Sequence, residues 1–353
     1  MSQPSAILMM GSLIGVVTAC VFLPVVAMAG GPNPGAVSDD ESGKQPRQRQ
    51  EAIVPKPRLG TKTLGGRQFW GDRFFWRGWK IQQNVVTGHH RLIDKQDFRF
   101  ASGSFDDCHA KLKEIQKTQR LQPMTGTVVV LIHGIVRSSK SFATMTDNLQ
   151  RSGMQVVPFD YASTRMKIDK SVEFLKSVMA SMPQVERVHF VVHSMGGLVV
   201  RRYAQLHGAD RIGRIVMLGV PNSGAKMADI LKTNPIFKAI WGPAGQELIS
   251  NARGLAAQLS RPKFEFAVIS GGRGNETGFN PLIPGDDDGT VSVKSTQLAG
   301  AKDSAVVPRI HSFLMNDPQV IQMTIEYLKT GRLGRDRPRQ PIDDSVESKP
   351  NGS

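Results

Sequence analysis

The stretch that decides the fold runs from Val185 to Tyr203 and reads Val-Glu-Arg-Val-His-Phe-Val-Val-His-Ser-Met-Gly-Gly-Leu-Val-Val-Arg-Arg-Tyr. Its first half is β-branched and aromatic, which predicts a buried strand. From Leu198 onward the apolar residues and two arginines predict a helix packed on a sheet. The turn between them contains two adjacent glycines and is too tight for bulky side chains. We therefore expect it to push the hydroxyl of Ser194 out of the fold.

A serine at the apex of such a turn is typical of a nucleophile elbow, whose pattern is Gly-x-Ser-x-Gly. Gly196 supplies the glycine after the serine, but Val192 stands where the pattern has the glycine before it. The alternative is an ordinary strand-to-helix corner in which Ser194 caps the helix. The five residues leave both interpretations open, and the rest of the chain has to decide between them.

Length and composition predict one large folded domain between two non-globular ends. The chain has 353 residues; 31–67 are rich in Gly, Pro, Gln and charge, and 331–353 carry Arg and Pro before fading into Ser, Asp and Lys. Neither segment can bury a core, so we expect a disordered linker and a disordered tail. Residues 68–330 have the length of one α/β domain.

The first 30 residues predict export. No charge occurs from Ala6 to Ala29, and Ala27-Met28-Ala29 before Gly30 fits a signal-peptide cleavage site. The length of the apolar run also fits an uncleaved membrane anchor, and Cys20 offers a lipoprotein site. All three interpretations carry the domain across or onto a membrane, so we expect a secreted or cell-envelope protein.

The net charge of +15 lies mainly on residues 68–330, which hold +11 of it. Neither zinc-finger spacing nor an RNA-binding aromatic signature accompanies this charge, which argues against a nucleic-acid partner. A basic body suits an anionic membrane surface or cell-wall polymer, and a solvated basic surface without a partner remains the alternative. The cysteines say little about the fold. Without the leader, Cys108 is alone and cannot form an internal disulfide. We expect it to be an ordinary small buried residue.

A second motif follows a continuous apolar run over 127–132, which predicts a strand buried on both faces of a parallel sheet. The run ends in His133-Gly134-Ile135, and the glycine lets the loop fold back so that the backbone N–H of Ile135 points into a pocket. This loop together with His-Ser-Met-Gly-Gly resembles the α/β-hydrolase superfamily, in particular its lipase and esterase branch, over about 120–330. The resemblance implies a mostly parallel central sheet with helices on both faces and a helical cap insertion, here at about 223–262.

The resemblance also implies a catalytic triad. Ser194 would be the nucleophile, and His311, just past the last strand, would be the base. Asp-Gly-x-Val selects Asp288 as the acid over its two neighbouring aspartates. The serine, aspartate and histidine follow one another in the chain order that the fold demands. Backbone N–H groups of Ile135 and Met195 would stabilise the oxyanion.

Two further predictions complete the domain. Residues 68–100 are rich in aromatic residues and alternate in polarity, which predicts antiparallel strands that start the central sheet. The three adjacent aspartates lack the alternating carboxylates and closing Glu of an EF-hand. We therefore expect no metal and no cofactor.

The function that follows is cleavage of a carboxylic ester, of a lipid or another acyl ester, through an acyl-enzyme. A thioesterase or acyltransferase would use the same triad. An alternative of another class is a non-catalytic envelope binding module that keeps the fold. The sequence leaves the acyl-chain length, the head group and the oligomeric state open.

Overall fold

The computed structural model of the protein describes residues 61–62, 67–231, 233, 235–250 and 254–343. The predicted leader 1–30 and most of the predicted linker lie outside these residues, as does the last part of the predicted tail. None of the helices in the described ranges is long and apolar enough to cross a membrane.

Five strands at the start of the described chain form an antiparallel sheet of their own, in the order β1-β5-β4-β3-β2. The prediction that these strands start the central sheet is wrong. Alternating polarity indicates a strand but not its partner, and here short connections let neighbouring strands pair with one another. The strands are β1 Thr61–Lys62, β2 Trp70–Trp76, β3 Trp79–Asn84, β4 His90–Ile93 and β5 Phe98–Gly103.

One face of this N-terminal sheet is covered by the first helix, α1, Phe105–Thr118. Buried Trp79, Ile81 and Leu92 of the sheet pack against Cys108 and Leu112 of the helix. The helix begins with a capping box, in which Ser104 and Asp107 each accept a hydrogen bond from the other's backbone N–H. Trp79 and the partly buried Phe74, Trp76 and Phe100 thus belong to a small core, as does Cys108.

Six parallel strands form the central sheet, in the order β11-β10-β9-β8-β6-β7. The chain runs outward from β6 to β7, returns to the other side of β6 with β8, and then continues in one direction. This reversal puts β6 and β8 side by side. The strands are β6 Gly126–Ile132, β7 Gln155–Phe159, β8 Val185–His193, β9 Ile212–Leu218, β10 Phe266–Gly271 and β11 Asp303–Val307.

Helices cover both faces of the central sheet, as predicted from its unbroken apolar strands. Alternate residues of β6 belong to two separate clusters: Val130 packs with Leu198 and Val172 on one face, and Leu131 packs with Met145 on the other. The remaining helices are α2 Ala143–Arg151, α3 Ile168–Ala180, α4 Met195–His207, α5 Lys226–Leu231, α6 Pro235–Gln246, α7 Leu255–Gln258, α8 Val293–Thr296 and α9 Pro318–Thr330.

The excursion predicted as a cap is helical: α5, α6 and α7 lie between β9 and β10. Helix α6 is kinked at Gly242, which has φ 60° and ψ −160°, a conformation open essentially to glycine alone. A Cβ atom there would overlap the carbonyl group of Thr164. The kink therefore rests directly on the segment that follows β7.

The predicted tail folds onto the domain as far as residue 343. Leu333 and Ile342 are buried, and the buried carboxylate of Asp303 accepts hydrogen bonds from the backbone N–H groups of Leu333 and Gln340. The prediction of a disordered tail from 331 is thus wrong for 331–343. The composition indicates disorder because the segment has few apolar residues, but two of them are buried and a buried carboxylate supplies further anchors.

Candidate active site

Ser194 stands at the apex of the turn between β8 and α4, in a strained backbone conformation. Its φ is 53° and its ψ is −127°, a region that residues other than glycine rarely adopt. Two hydrogen bonds hold it there: the Ser194 N–H donates to the Leu218 carbonyl at 2.9 Å, and the Gly197 N–H donates to the Ser194 carbonyl at 3.0 Å. This is the geometry of a nucleophile elbow, not that of an ordinary helix cap.

The two glycines after the serine are required by close packing. A Cβ atom on Gly196 would lie 2.5 Å from the Ile132 carbonyl oxygen, and one on Gly197 would overlap the side chain of Val220. Val192, in contrast, is fully buried in the core. The crowding lies on the helix side of the turn, which explains how a valine fits where the pattern has glycine.

The elbow lies at the carboxyl end of β8, next to the carboxyl end of β6, where the strand order of the parallel sheet reverses. In open α/β sheets this switch point is where ligands bind. A strained serine elbow at such a point, with helices on both faces, decides the architecture. The chain has the α/β-hydrolase fold.

The structure brings the predicted acid and base of this hydrolase fold together. His311 Nδ1 lies 2.6 Å from Asp288 Oδ2, and the His311 N–H donates to the Asp288 carbonyl at 2.8 Å. The other carboxylate oxygen accepts the backbone N–H groups of Thr290 and Val291 at 3.0 and 2.7 Å. Since a carboxylate only accepts, the imidazole proton belongs on Nδ1, which leaves Nε2 with its lone pair.

The neighbouring aspartates serve the loop instead. Asp286 accepts the backbone N–H groups of Arg273 and Gly274. Asp287 is fully buried and accepts those of Asn280 and Gly289. Burial raises the pKa of Asp287. Of the three aspartates, only Asp288 contacts His311.

His311 contacts His193, the residue that precedes the serine of the elbow. His193 Nε2 donates to the His311 carbonyl at 3.0 Å, and the two rings lie 4.5 Å apart, centre to centre. Gly219, at the end of β9, leaves room for the pair: a Cβ there would lie 3.1 Å from both Asp288 Oδ2 and His311 Nδ1. Within the described residues, the Ser194 hydroxyl and the His311 ring share no hydrogen bond. Catalytic hydrogen bonds often tighten only when substrate binds.

The loop after β6 lies beside the serine. A Cβ on Gly134 would lie 3.0 Å from the Ser194 Cβ. The next residue, Ile135, donates its backbone N–H to no acceptor in the described part of the chain. Met195 is the first residue of α4, so its N–H has no acceptor within the helix. Both donors of the predicted oxyanion hole are thus available next to the elbow.

The same loop contains a strained residue and is held by hydrogen bonds to residues far away in the chain. Val136 has φ 61°, an outlier for a β-branched residue. Its N–H donates to Ser163 Oγ at 3.1 Å, and Gln68 Nε2 donates to the Arg137 carbonyl at 2.9 Å. Gln68 also accepts from the Ser163 hydroxyl at 3.2 Å. No sequence motif links these residues, so only the folded structure reveals them.

Two buried histidines flank the motifs without facing solvent. His133 stacks on Tyr161 with ring centres 4.4 Å apart, and its Nδ1 lies 2.8 Å from the Gly134 carbonyl oxygen. Burial lowers the pKa of His133 to about 4. Burial and the neighbouring His311 likewise lower the pKa of His193 well below its usual value. Both rings are neutral at pH 7, which agrees with their predicted role as packing and loop-orienting residues.

The described ranges contain no group of three or more His, Cys, Asp or Glu residues that is arranged to hold a metal ion. The three aspartates are occupied with backbone N–H groups and with His311, as described above.

Comparison with known proteins gives one family match over part of the chain and several distant structural likenesses. Residues 98–242 match a family described as a domain of unknown function, DUF7379. This match includes Ser194 and Ile135 but neither Asp288 nor His311. No curated protein matches the sequence.

Among solved structures, the mature Bacillus licheniformis lipase BlEst2 is 18% identical, with a TM-score of 0.46 over 58% of this chain and 94% of that one. The product of the gene lin2722 from Listeria innocua is 17% identical, with a TM-score of 0.41 over 62% and 97%. A thermophilic esterase from Thermogutta terrifontis is 14% identical, with a TM-score of 0.40 over 60% and 92%.

Proposed function

We propose that the protein is a serine hydrolase that cleaves carboxylic esters, of a lipid or another acyl ester. One observation carries this proposal: a strained serine elbow lies beside an Asp288–His311 hydrogen bond and beside two available backbone N–H donors. An ordinary helix cap needs neither the strained backbone nor the buried pair.

Each residue has a role that its surroundings support. His311 Nε2 takes the proton of the Ser194 hydroxyl as the oxygen attacks the ester carbonyl carbon. Asp288 fixes the proton on Nδ1 and stabilises the imidazolium that forms. The N–H groups of Ile135 and Met195 stabilise the oxyanion, and each such donor lowers the barrier by about 3 kcal/mol in other hydrolases.

The intermediate then breaks down in two stages. His311 returns its proton to the departing alcohol as the carbon–oxygen bond of the ester breaks, which leaves an acyl group on Ser194. Water, deprotonated by the same imidazole, attacks this acyl-enzyme and releases the acid.

The proposal is tested with purified protein and p-nitrophenyl esters of increasing acyl-chain length. We expect hydrolysis by the wild type and its loss in Ser194→Ala. Ser223→Ala is the matched control, because Ser223 is an exposed serine on the loop after β9 and should leave the rate unchanged. Equal rates in the wild type and Ser194→Ala would contradict the proposal.

The same series separates the remaining alternatives. A preference for long chains indicates a lipase and one for short chains an esterase. Transfer to an added alcohol or thiol in place of water indicates an acyltransferase, and faster cleavage of acyl thioesters indicates a thioesterase. A protein that binds the esters without turnover would be the non-catalytic binding module.

We also propose that the protein acts outside the cytoplasm, attached to or near an anionic membrane surface. The uncharged, apolar residues 6–29 and the basic body support this proposal. Cell fractionation of the full chain, compared with a variant that lacks residues 2–29, tests it. Identical cytoplasmic fractions for both would contradict it.

A further inference from the structure

A buried charge cluster joins the N-terminal sheet to the central sheet; it consists of Asp72, Lys80 and Asp160. The Lys80 ammonium lies 2.9 Å from Asp72 Oδ2 and 2.7 Å from Asp160 Oδ2. Asp72 and Lys80 belong to β2 and β3, whereas Asp160 directly follows β7. Asp72 is 1% exposed and Lys80 7% exposed, and the side chain of Asp160 is 13% exposed. Burying such charges costs several kcal/mol each unless they are paired, so their retention calls for an explanation.

Backbone hydrogen bonds reinforce the junction between the sheets. The Asp72 N–H donates to the Asp160 carbonyl at 2.8 Å, and the Asp160 N–H donates to Asp72 Oδ2 at 2.8 Å. Gln82 donates to Asp72 Oδ1 at 2.7 Å and accepts from the Arg91 guanidinium. The position of Asp160 is thus fixed from the N-terminal sheet.

Residues 160 and 161 hold both ends of the loop that carries Ile135. At its far end, Ser139 donates its N–H to Asp160 Oδ1 at 2.8 Å and its hydroxyl to Oδ2 at 2.7 Å. At its near end, the Tyr161 hydroxyl donates to the His133 carbonyl at 2.7 Å. Both ends of the loop 133–139 are therefore hydrogen-bonded to two adjacent residues, Asp160 and Tyr161.

The middle of the loop is held from the same segment. Val136, which is strained at φ 61°, donates its N–H to Ser163 Oγ. A strained conformation persists only where its surroundings hold it. Residues 160–163 hold the loop at His133, Val136 and Ser139, and the buried charge cluster fixes the position of Asp160, where this segment starts.

The charges favour an ionised Asp160. Burial by itself would raise the pKa of Asp160, but Lys80 and the hydrogen bonds outweigh it and hold the pKa below its usual range. Charged acceptors form stronger hydrogen bonds than neutral ones. An ionised Asp160 therefore holds Ser139 more firmly than an uncharged side chain of the same shape.

We propose that Lys80 and Asp160 are positioning residues for the oxyanion hole, so that the N-terminal sheet is a working part of the active site. The inference rests on the proposed function, because it assigns a purpose to the placement of the Ile135 N–H. Neither residue touches the substrate; both act through the loop. A displacement of about 1 Å at such a donor can cost about 100-fold in rate.

The test compares Lys80→Met and the double variant Asp72→Asn/Lys80→Met with the wild type. The double variant removes one negative charge together with the positive one, so the net charge of the cluster stays as in the wild type, and the test stays open if the single variant fails to fold. We expect kcat to fall at least about 10-fold with KM little changed, because the loop acts in the transition state. The inhibition constant of an alkyl boronic acid, whose adduct with Ser194 places an oxygen in the oxyanion hole, should rise by a similar factor.

The control variant is Asp303→Asn. Asp303, at the start of β11, is as buried as Asp72 and pairs with Arg337. Strand β11 forms one edge of the central sheet, and the loop 133–139 follows β6 near the other edge. The control variant should lower the unfolding midpoint as much as the cluster variants while kcat stays near the wild-type value. The proposal would be overturned if kcat fell in Asp303→Asn as much as in the cluster variants, in proportion to the loss of stability. It would also be overturned if the inhibition constant of the boronic acid were the same in the cluster variants as in the wild type.

Hydrogen exchange separates this proposal from the proposed function. Amides of residues 135–139 should exchange faster in the cluster variants than in the wild type and Asp303→Asn, whether or not the protein hydrolyses esters. An inactive wild type with this exchange pattern would remove the proposed function and leave the positioning role. An active wild type whose loop exchange is the same in every variant would remove the positioning role alone.

Discussion

His311 Nδ1 lies 2.6 Å from Asp288 Oδ2, while the other oxygen of that carboxylate accepts two backbone N–H groups. The side chain of Asp288 is fully buried and that of His311 is 11% exposed. An aspartate held in this way can only accept from the ring, so it fixes the proton on Nδ1 and leaves Nε2 with its lone pair.

Asp288→Asn should therefore abolish most of the activity. The amide keeps the shape but can place a donor against Nδ1, which favours the wrong tautomer and lowers kcat by about 10⁴-fold in a comparable triad. Ester hydrolysis measured at saturating substrate checks this. Asp286→Asn is the matched control, since Asp286 contacts only backbone N–H groups of its loop. Equal losses in the two variants would contradict the assignment of Asp288.

Val192→Gly, which restores the glycine of the elbow pattern, should weaken the protein without raising its activity. Val192 is fully buried in the core, so its removal leaves a cavity and adds backbone freedom to a strand. We expect a loss of about 2–4 kcal/mol in the free energy of unfolding. Denaturant unfolding and ester hydrolysis measure the two effects. A more active or more stable variant would show that the valine strains the turn.

Gly196→Ala should lower the free energy of unfolding, whereas replacing an ordinary helical glycine by alanine raises it. Alanine normally stabilises a helix by up to about 1 kcal/mol over glycine. Here its Cβ would lie 2.5 Å from the Ile132 carbonyl oxygen, so we expect destabilisation by about 1–3 kcal/mol and loss of activity. Gly334→Ala is the control for added bulk alone, because Gly334 lies outside the helices and the nearest atom is a side-chain Cβ at 3.3 Å; it should change the free energy of unfolding little. Stabilisation in Gly196→Ala would mean that the helix and β6 are less tightly packed.

Acidification should destabilise the protein through His133. Its folded pKa is about 4, whereas an unfolded histidine binds a proton below about pH 6.5. Between these values the unfolded state binds more protons, so the free energy of unfolding falls as the pH falls. The slope is about 1.4 kcal/mol per pH unit for each such histidine. Urea unfolding from pH 6.5 to 5 should show a smaller slope in His133→Gln; an identical slope would mean that His133 is protonated in the folded state.

Cys108 should resist thiol reagents until the protein unfolds. It is fully buried, and burial together with Asp107 raises its pKa to about 11, so almost no thiolate is present at pH 8. The chain has two cysteines, and Cys20→Ser leaves Cys108 as the one to measure. Ellman's reagent should react slowly with this variant in buffer and fully in guanidinium. Rapid reaction in buffer would show that α1 opens readily.

The alternation of strands and helices from 126 to 330 was predictable from sequence because its signals are local. Apolar runs that end in His133-Gly134 or His193-Ser194 mark buried strands without reference to distant residues. Asp288 could be preferred over its neighbours because Asp-Gly-x-Val is contiguous. Each of these features is contained in fewer than about ten residues.

The features that sequence could not predict depend on distant partners. The alternating residues of β2 to β5 fit either sheet, and the choice depends on α1 and on the contact between Asp72 and Asp160, which are 88 positions apart. The order of residues 331–343 depends on the buried carboxylate of Asp303. Likewise, the strain at Val136 is held by Ser163, and no pattern of residue types indicates such a pair.

The central claim is that Ser194 is an activated nucleophile, and labelling with a fluorophosphonate tests it most directly. Intact mass and peptide mapping should show one adduct per chain of the wild type, on the peptide that contains Ser194. Ser194→Ala should show none, and Asp288→Asn should label far more slowly. An unlabelled wild type, or an adduct that persists on another residue in Ser194→Ala, would contradict the account.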